Sequence, residues 1–371
     1  MRVALNGLFL QQPSTGTGQY LRELATALRA QAPDVELTFI APLLDPTAPA
    51  PVIVQPTKLR RENFAKLEFE QITFPRVTKN KFTLAHIPHF GPPLFQTLPT
   101  VVTIHDLIPI VLPAYRGSWR VRLYTRLAAL GARRAQAVIA DSYASARDIE
   151  RHFRIPSERI YVVHLAADAR FSPPSYIEIQ RVREKYQLPE KFVLYLGGFD
   201  VRKNVGRVIE TFAALDKERR AGWKLVLAGK VPHADTAFFP NPRRIAKEMR
   251  VIEDVGFIGL VAEEDKPALY AAARAFLFPS YYEGFGLPPL EAMASGTPVI
   301  SSNRASLPKV VGDGGILLSP DDARGWSDAV RALLHDDPRW NELRARGLKQ
   351  AQQFSWQRTA LQTLEVYRKV C

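Results

Sequence analysis

Short apolar segments alternate with amphipathic segments along the chain, and the alternation starts again near residue 192. Short apolar runs bounded by turn residues are typical of strands that are buried on both faces. Strands that alternate with helices form parallel, doubly wound sheets. The pattern predicts an α/β chain with strands at 2–6, 35–41, 84–88, 101–107, 137–140 and 160–164, and again at 192–196, 223–228, 255–259, 275–279 and 299–302.

Size and composition agree with two such sheets. A chain of 371 residues exceeds the usual limit for one hydrophobic core, and its apolar content of 46% can fill two. Cys371 is the single cysteine, so no internal disulfide can form and a reducing compartment is expected. No apolar stretch reaches the roughly 18 residues that a membrane-spanning helix needs. We therefore expect a cytoplasmic protein, either soluble or peripheral to a membrane.

The formal net charge of +13 indicates an anionic partner. A nucleotide diphosphate, a lipid phosphate, an anionic membrane surface and nucleic acid all satisfy it. The sequence shows no zinc-ligand spacing, no aromatic RNA-binding strand and no basic region followed by heptads, so nucleic acid is not an expected partner.

The segment 278–291 combines a strand end, a turn rich in glycine and proline, and a helix-forming run. The backbone N–H groups of Phe285, Gly286 and Leu287 precede that helix, and such groups bind anions. Glu283 and Glu291 flank them, so two carboxylates can contact opposite ends of a ligand whose middle is anionic. A sugar nucleotide has this layout.

The same segment, read through Glu-x7-Glu and on to Ser295-Gly296-Thr297-Pro298-Val299, resembles the retaining glycosyltransferases of family 4 (glycosyl transferases group 1). The resemblance implies the GT-B fold, in which two Rossmann-like domains face a central cleft. We expect an N-terminal acceptor-side domain over 1–170, completed by a C-terminal helix at 356–371. A nucleotide-sugar-binding domain is expected over 171–355.

In the first half, the resemblance assigns roles to a glycine-rich loop and to the end of a strand. Gly16 and Gly18 follow the first predicted strand, where relatives place a loop beside the donor diphosphate. His105 and Asp106 end the strand 101–107, and a histidine at this place in the family faces the donor sugar and the acceptor. We expect a catalytic role for His105 and a substrate-binding role for Asp106.

In the second half, Arg202 and Lys203 follow a glycine turn, and the resemblance implies that they neutralise the departing diphosphate. Lys203 matches the family lysine. Gly198 stands where the family has an arginine, so Arg202 is expected to replace it. Glu283 should bind the transferred sugar and Glu291 the ribose, while Phe257 and Ile258 mark the nucleotide base region.

The implied reaction transfers a hexose from a nucleotide diphosphate sugar to a hydroxyl of a glycan or lipid-linked acceptor, with retention at the anomeric carbon. Fixed cations and N–H groups stabilise the leaving diphosphate. No divalent metal is expected, because Asp-x-Asp is absent. No cofactor is expected either, because the nucleotide sugar is a substrate and the sequence lacks the full Gly-x-Gly-x-x-Gly of a dinucleotide site. Arg202-Lys203-Asn204 resembles branches that use GDP-mannose for surface polysaccharide, which is the first choice of donor.

Alternatives remain at this stage. A UDP-sugar donor is the nearest of them. A phosphorylase or epimerase of the same fold, and a sugar-nucleotide or lipid-phosphate binding module without turnover, are two others; the Gly198 departure favours the last. Two basic helical regions, near 58–81 and 118–136, are either solvated faces or surfaces for an anionic membrane at the inner face of the cell membrane.

Overall fold

The computed structural model describes residues 1–12, 15–59, 61–220 and 222–371, and these form two compact units. The first unit comprises Met1–Ala166 with Ser355–Cys371, and the second comprises Ala167–Phe354. The chain thus passes between the units four residues before the predicted position at 170, and returns one residue before the predicted position at 355. In the described parts of the chain, no helix is long and apolar enough to cross a bilayer.

The first unit contains a sheet of seven parallel strands in the order β3-β2-β1-β4-β5-β6-β7. Its neighbours align in register, for example Val3 with both Leu37 and Leu84. The chain winds outward in one direction through β2 and in the other through β4. The strands are β1 (Arg2–Asn6), β2 (Glu36–Ala41), β3 (Val52–Val54), β4 (Leu84–Ile87), β5 (Thr100–Ile104), β6 (Ala137–Ala140) and β7 (Ile160–Val162).

The second unit contains six parallel strands in the order β10-β9-β8-β11-β12-β13. These are β8 (Lys191–Leu196), β9 (Trp223–Ala228), β10 (Val255–Gly259), β11 (Phe276–Phe278), β12 (Val299–Ser302) and β13 (Ile316–Leu318). Our sequence prediction omitted β3 and β13. Both are edge strands of three residues, and β3 lies in a proline-rich segment that an edge position tolerates.

Helices cover the sheet of the first unit, and the C-terminal helix belongs to it. They are α1 (Gly16–Gln31), α2 (Glu62–Glu68), α3 (Phe74–Thr78), α4 (Ile108–Val111), α5 (Trp119–Arg134) and α6 (Tyr143–Phe153), together with Trp356–Val370 at the C-terminus. The single helix predicted over 58–76 is instead α2, a π-helical turn at Phe69–Thr73, and α3. The Ser142 side chain accepts a hydrogen bond from the Ser145 N–H and caps α6.

The helices of the second unit follow the alternation that the sequence indicated. They are α7 (Tyr176–Lys185), α8 (Val205–Ala213), α9 (Lys217–Arg220), α10 (Pro242–Glu248), α11 (Lys266–Ala272), α12 (Leu287–Ala294), α13 (Leu307–Val311), α14 (Ala323–His335) and α15 (Asp337–Ala351). The C-terminal helix is accordingly α16. A reciprocal pair of hydrogen bonds between Ser175 and Glu178 starts α7.

Each unit has its own hydrophobic core, because every inner strand is covered on both faces. Val102 and Phe69 are fully buried in the first unit, and Tyr195, Phe212 and Trp326 in the second. At about 25 cal/mol per Å², burial of such side chains is the main stabilising contribution to each unit. The rigid sheets fix the positions of the loops that follow their strands.

Candidate active site

The strand–turn–helix segment of the sequence folds as β11, a turn and α12. Gly286 is the N-cap of α12 with φ of 116°, a conformation that favours glycine, and a Cβ there would lie 2.8 Å from Leu307 Cδ2. Pro288 and Pro289 occupy the first turn and have no N–H. The N–H groups at this helix end therefore come from Leu287 and the residues before it, as the sequence indicated.

Glu283 is the centre of a buried cluster of charges. Its Oε1 atom lies 2.7 Å from Arg202 Nη1 and 2.8 Å from Lys203 Nζ. The Ser280 hydroxyl donates a hydrogen bond to the same oxygen at 2.6 Å. Arg202 also donates to the Tyr282 carbonyl at 2.8 Å. Three of the predicted catalytic residues are thus in direct contact within the second unit.

These contacts decide the charge state of Glu283. Burial raises the pKa of the carboxyl, but Lys203 and Arg202 outweigh burial, and the net pKa lies below the usual glutamate value. Asp200 Oδ1 is 3.6 Å from Arg202 Nε, so two carboxylates balance two cations. Lys203 Nζ also lies 4.9 Å from the centre of the Phe278 ring. Both cations are therefore held in place before any ligand binds.

A cavity of about 580 Å³ opens beside this cluster, at the carboxyl ends of β8, β9 and β10. Open α/β sheets bind their ligands at this edge. The described residues that line the cavity include Gly198, Asp200, Lys230, Thr236, Leu260 and Val261. This volume lies within the usual range for small-molecule sites.

The predicted base region lies close to this cavity in sequence. Phe257 and Ile258 belong to β10 and are not among the lining residues, whereas Leu260 and Val261, which follow after Gly259, lie in the cavity wall. The Arg243 guanidinium lies over the Phe257 ring at 4.1 Å. The wall on this side is therefore formed by residues just beyond the end of β10, and not by the predicted pair itself.

Gly198, at the position where the resemblance implies an arginine, lines the cavity without a side chain. Its carbonyl accepts a hydrogen bond from the Tyr195 hydroxyl, and a Cβ at this position would lie 3.0 Å from Asp200 Oδ2. The Arg202 guanidinium, four residues on, reaches Glu283. A forked cation is thus present in this part of the second unit although position 198 has no side chain.

Glu291 is buried on α12. Its Oε2 atom accepts a hydrogen bond from the Tyr270 hydroxyl at 3.1 Å. Burial raises the pKa of this carboxyl to about 7, and the opposing effects of Lys266 and Tyr270 do not cancel it. The two glutamates of the motif therefore differ in charge near neutral pH, since Glu283 is ionised and Glu291 titrates there.

In the first unit, His105 follows β5 and pairs with Asp141, which follows the neighbouring strand β6. The Nδ1–Oδ2 distance is 2.7 Å, and Nε2 lies 3.2 Å from the Pro88 carbonyl. The Tyr20 ring packs edge-on against the imidazole at 4.8 Å. Burial lowers the pKa of His105, but the Asp141 carboxylate outweighs it, so the net pKa is raised.

Asp106, Gly16 and Gly18 have local structural contacts. Asp106 Oδ1 accepts a hydrogen bond from the Ile108 N–H at 3.0 Å at the start of α4. Gly16 and Gly18 lie in the first turn of α1 rather than in a loop, because the Thr15 side chain caps that helix and accepts the Gly18 N–H. A Cβ at Gly18 would lie 2.0 Å from the Gln12 carbonyl oxygen, so this glycine permits close packing. The preceding residues 13 and 14 of the predicted loop lie outside the described part of the chain.

Two contacts were missing from our sequence analysis. From the sequence, we assigned no catalytic role to Asp141 or Ser280, although both contact predicted catalytic residues. Asp141 could have been found, because β5 and β6 are successive parallel strands whose ends meet at one edge of the sheet. Ser280 offers no comparable signal, since its contact depends on the turn geometry.

Two family descriptions match successive parts of the chain: Glycosyltransferase Family 4 over residues 14–171 and Glycosyl transferases group 1 over residues 177–354. The chain is 33% identical to O-antigen chain mannosyltransferase B of Escherichia coli, over 97% of this chain and 97% of that protein. The chain therefore belongs to the family 4 glycosyltransferases, and the sequence-based identification is confirmed.

Other relatives agree with this membership. The serotype-specific mannosyltransferase WbdA of Escherichia coli is 32% identical over 73% of this chain, which corresponds to 33% of that longer protein. Anabaena Alr3699/HepE, solved in complex with UDP and glucose, aligns over 100% of both chains with a TM-score of 0.77 and 18% identity. The predicted GT-B class, with two parallel-sheet Rossmann-like domains, is confirmed, and the protein is a glycosyltransferase.

Proposed function

We propose that the protein is a retaining mannosyltransferase that uses GDP-mannose and extends a surface polysaccharide. The observation that carries the proposal is the contact of Arg202, Lys203 and Ser280 with Glu283, beside a cavity at the strand ends. The names of the relatives supply the sugar, because O-antigen chain mannosyltransferase B and WbdA are both mannosyltransferases.

The chemistry follows from charge. Cleavage of the sugar–phosphate bond places positive charge on the ring and negative charge on the departing diphosphate. Arg202 and Lys203 are already fixed in place, so they stabilise that diphosphate without reorganising. The Glu283 carboxylate accepts a hydrogen bond from a hydroxyl of the transferred sugar. The N–H groups of Phe285, Gly286 and Leu287 bind phosphate oxygens.

The remaining predicted residues have supporting roles in this proposal. Glu291 holds the ribose hydroxyls in its ionised form. His105 Nε2 donates a hydrogen bond to the transferred sugar in place of the Pro88 carbonyl, and Asp141, which contacts Nδ1, maintains the orientation of the ring. A phosphate oxygen of the donor takes the acceptor proton, so no covalent carboxylate intermediate is required, and Arg202 and Lys203 supply the positive charge without a divalent metal.

Nucleotide binding gives the first test. Thermal shift and calorimetry with GDP, UDP, ADP and dTDP, each with and without a chelator, should show one series that stabilises the protein. We expect GDP and GDP-mannose, with no effect of the chelator. The linkage in the product, read from its anomeric NMR signals, then tests retention. Donor binding without transfer to any acceptor would favour a binding module.

A UDP-sugar donor is the second candidate. It is supported by Alr3699/HepE, which aligns over the whole chain and was solved with UDP-glucose as well as with UDP. Preferential stabilisation by UDP over GDP in the same titration would replace GDP-mannose with this donor.

We also propose peripheral contact with an anionic membrane through the first unit. At the start of helix α5, exposed apolar side chains alternate in sequence with exposed arginines. The apolar residues are Trp119 (64% exposed), Val121 and Leu123, and the arginines are Arg120 and Arg122. An apolar side chain that inserts among headgroups, flanked by cations, suits an anionic lipid surface. In this proposal the acceptor lies at the inner face of the cell membrane.

Vesicle flotation tests the membrane proposal. Trp119→Ser should reduce binding to vesicles with phosphatidylglycerol, while Trp340→Ser, which is placed in the second unit, should not. Equal binding of both variants, or equal binding to neutral vesicles, would contradict the proposal.

A further inference from the structure

A second cavity, of about 470 Å³, lies within the first unit at the carboxyl ends of β1 and β2. Gly7, which directly follows β1, and Ala41, the last residue of β2, contribute to its wall. These strands are parallel neighbours, so the cavity lies at the sheet edge where open α/β folds bind ligands. None of the predicted site residues lines it among the residues that the structure describes.

The wall of this cavity is mixed: apolar residues form most of it, and the polar side chains among them are mostly uncharged. Its hydrogen-bonding side chains are Gln11, Gln12, Thr57 and Asn63, and the Phe9 ring lies among them. Amide and hydroxyl groups both donate and accept hydrogen bonds, as sugar hydroxyls do. An aromatic ring gives the apolar face of a sugar a surface to pack on.

Lys66 is the one ionisable residue among the described lining residues, and the Glu70 carboxylate balances its charge. Lys66 Nζ lies 3.7 Å from Glu70 Oε1, and Glu70 is fully buried. A phosphate at this place would compete with a buried carboxylate for the same ammonium group. The cavity therefore favours a neutral ligand over an anionic one.

Glu70 is held by a polar cluster that the π-helical turn at Phe69–Thr73 brings together. The Tyr124 hydroxyl donates to Glu70 at 3.1 Å, and His89 Nε2 lies 3.0 Å from the same carboxylate. The other ring nitrogen of His89, Nδ1, is buried without a hydrogen-bond partner among the described residues. The His89 ring packs against Phe9 at 4.9 Å, so a polar group in need of a partner lies directly behind the cavity wall.

The walls of the cavity are fixed without a ligand. Arg22 donates to the Leu10 carbonyl at 3.0 Å and pairs with Asp45, which joins the segments after β1 and after β2. The Gln11 amide donates to the Leu44 carbonyl at 2.8 Å across the same gap. A site whose walls are already fixed loses little conformational entropy when a ligand binds.

We propose that this cavity binds the neutral terminal sugar of the acceptor glycan, with Phe9 against its ring and with Gln12 and Asn63 bonded to its hydroxyls. The inference rests on the proposed function, and it deepens it by choosing an uncharged sugar rather than a phosphate group as the acceptor moiety that the first unit recognises.

Direct binding without donor tests the site separately from transfer. Calorimetric titration of the full chain uses a panel of neutral oligosaccharides, with α-linked mannotriose first, and inorganic phosphate as the anionic probe. We expect a neutral sugar to bind, with Gln12→Ala and Asn63→Ala each weakening it about three- to tenfold, the usual loss for one neutral hydrogen bond. Gln31→Ala, at the far end of α1, is the matched control and should leave it unchanged.

Each result has a separate meaning. Failure of every neutral sugar to bind, or equal binding by all three variants, would overturn the site. Phosphate that binds the wild type and is lost in Lys66→Ala would overturn the choice of a neutral ligand. The proposed function is judged separately, because a chain that binds the sugar but shows no nucleotide binding or transfer would contradict that function and leave the sugar site standing.

Discussion

Replacing Glu291 by glutamine should change how the stability of the protein depends on pH. The carboxyl is buried on α12, and burial raises its pKa to about 7. Glutamine keeps an oxygen that can accept the hydrogen bond from the Tyr270 hydroxyl, which lies 3.1 Å from Oε2 in the wild type. The variant therefore removes the titration of position 291 and leaves its main contact possible.

The magnitude follows from the difference in pKa between the folded and unfolded chains. The ordinary value for glutamate is 4.5, so between pH 4.5 and 7 the folded state binds more protons at this site than the unfolded state. The wild type consequently loses stability as the pH rises through that window. The shift to about 7 corresponds to about 3 kcal/mol of unfolding free energy, at 1.36 kcal/mol per pKa unit.

Urea unfolding from pH 5 to pH 8.5, followed by tryptophan fluorescence, measures this difference. Relative to the wild type, Glu291→Gln should gain about 3 kcal/mol in unfolding free energy across the range, because only the wild type must ionise a buried carboxyl. Glu342→Gln, at an exposed carboxylate of the same unit, is the control and should show no such gain. A difference between Glu291→Gln and wild type that does not change with pH would refute the reasoning.

Three further predictions concern the site and its support. Asp141→Asn should lower the pKa of His105, because it removes the carboxylate that raises it; an unchanged histidine titration by NMR would contradict this. Lys203→Met should reduce kcat by about 10²–10³, the usual loss for one fixed group that stabilises developing charge, and full kcat in steady-state assays would exclude the assigned role. Gly18→Ala should cost about 1–3 kcal/mol through overpacking, whereas Gly16→Ala, with open space around it, should be neutral or slightly stabilising; equal melting temperatures would be the contrary result.

Donor binding, measured by calorimetry with GDP from pH 5 to pH 8.5, should strengthen as Glu291 ionises, and Glu291→Gln should remove this dependence. Glu283 is held ionised by its cations, but Glu291 titrates near neutrality. Because the proposed contact with the ribose uses ionised Glu291, nucleotide binding and its ionisation favour each other. The sequence motif contains two identical residue types, and only their surroundings separate their roles.

The sequence by itself determined the two parallel sheets, the order of most elements and the family. The spacing of apolar residues in a strand or helix shows whether one face or both faces of that element are buried. This spacing involves only residues that are close together in the sequence. For the same reason the sequence located the turn before α12, where Gly286, Pro288 and Pro289 act through their own backbones. Most interior strands were predicted close to their observed limits, whereas the edge strands β3 and β13 were omitted, because an apolar run of three residues is too short to show a period.

The tertiary structure decided which of these residues touch. Glu283 is 80 residues from Lys203, and its Oε1 atom is nevertheless 2.8 Å from Nζ because β8 and β11 are adjacent in the sheet. Packing between distant segments likewise pairs His105 with Asp141 and buries Glu291, which raises the pKa of that carboxyl. It also brings Lys66, His89 and Tyr124 into contact with Glu70. The number of residues between two positions does not determine their distance across a sheet. A pKa depends on the dielectric and the charges around the group, which only the folded chain supplies.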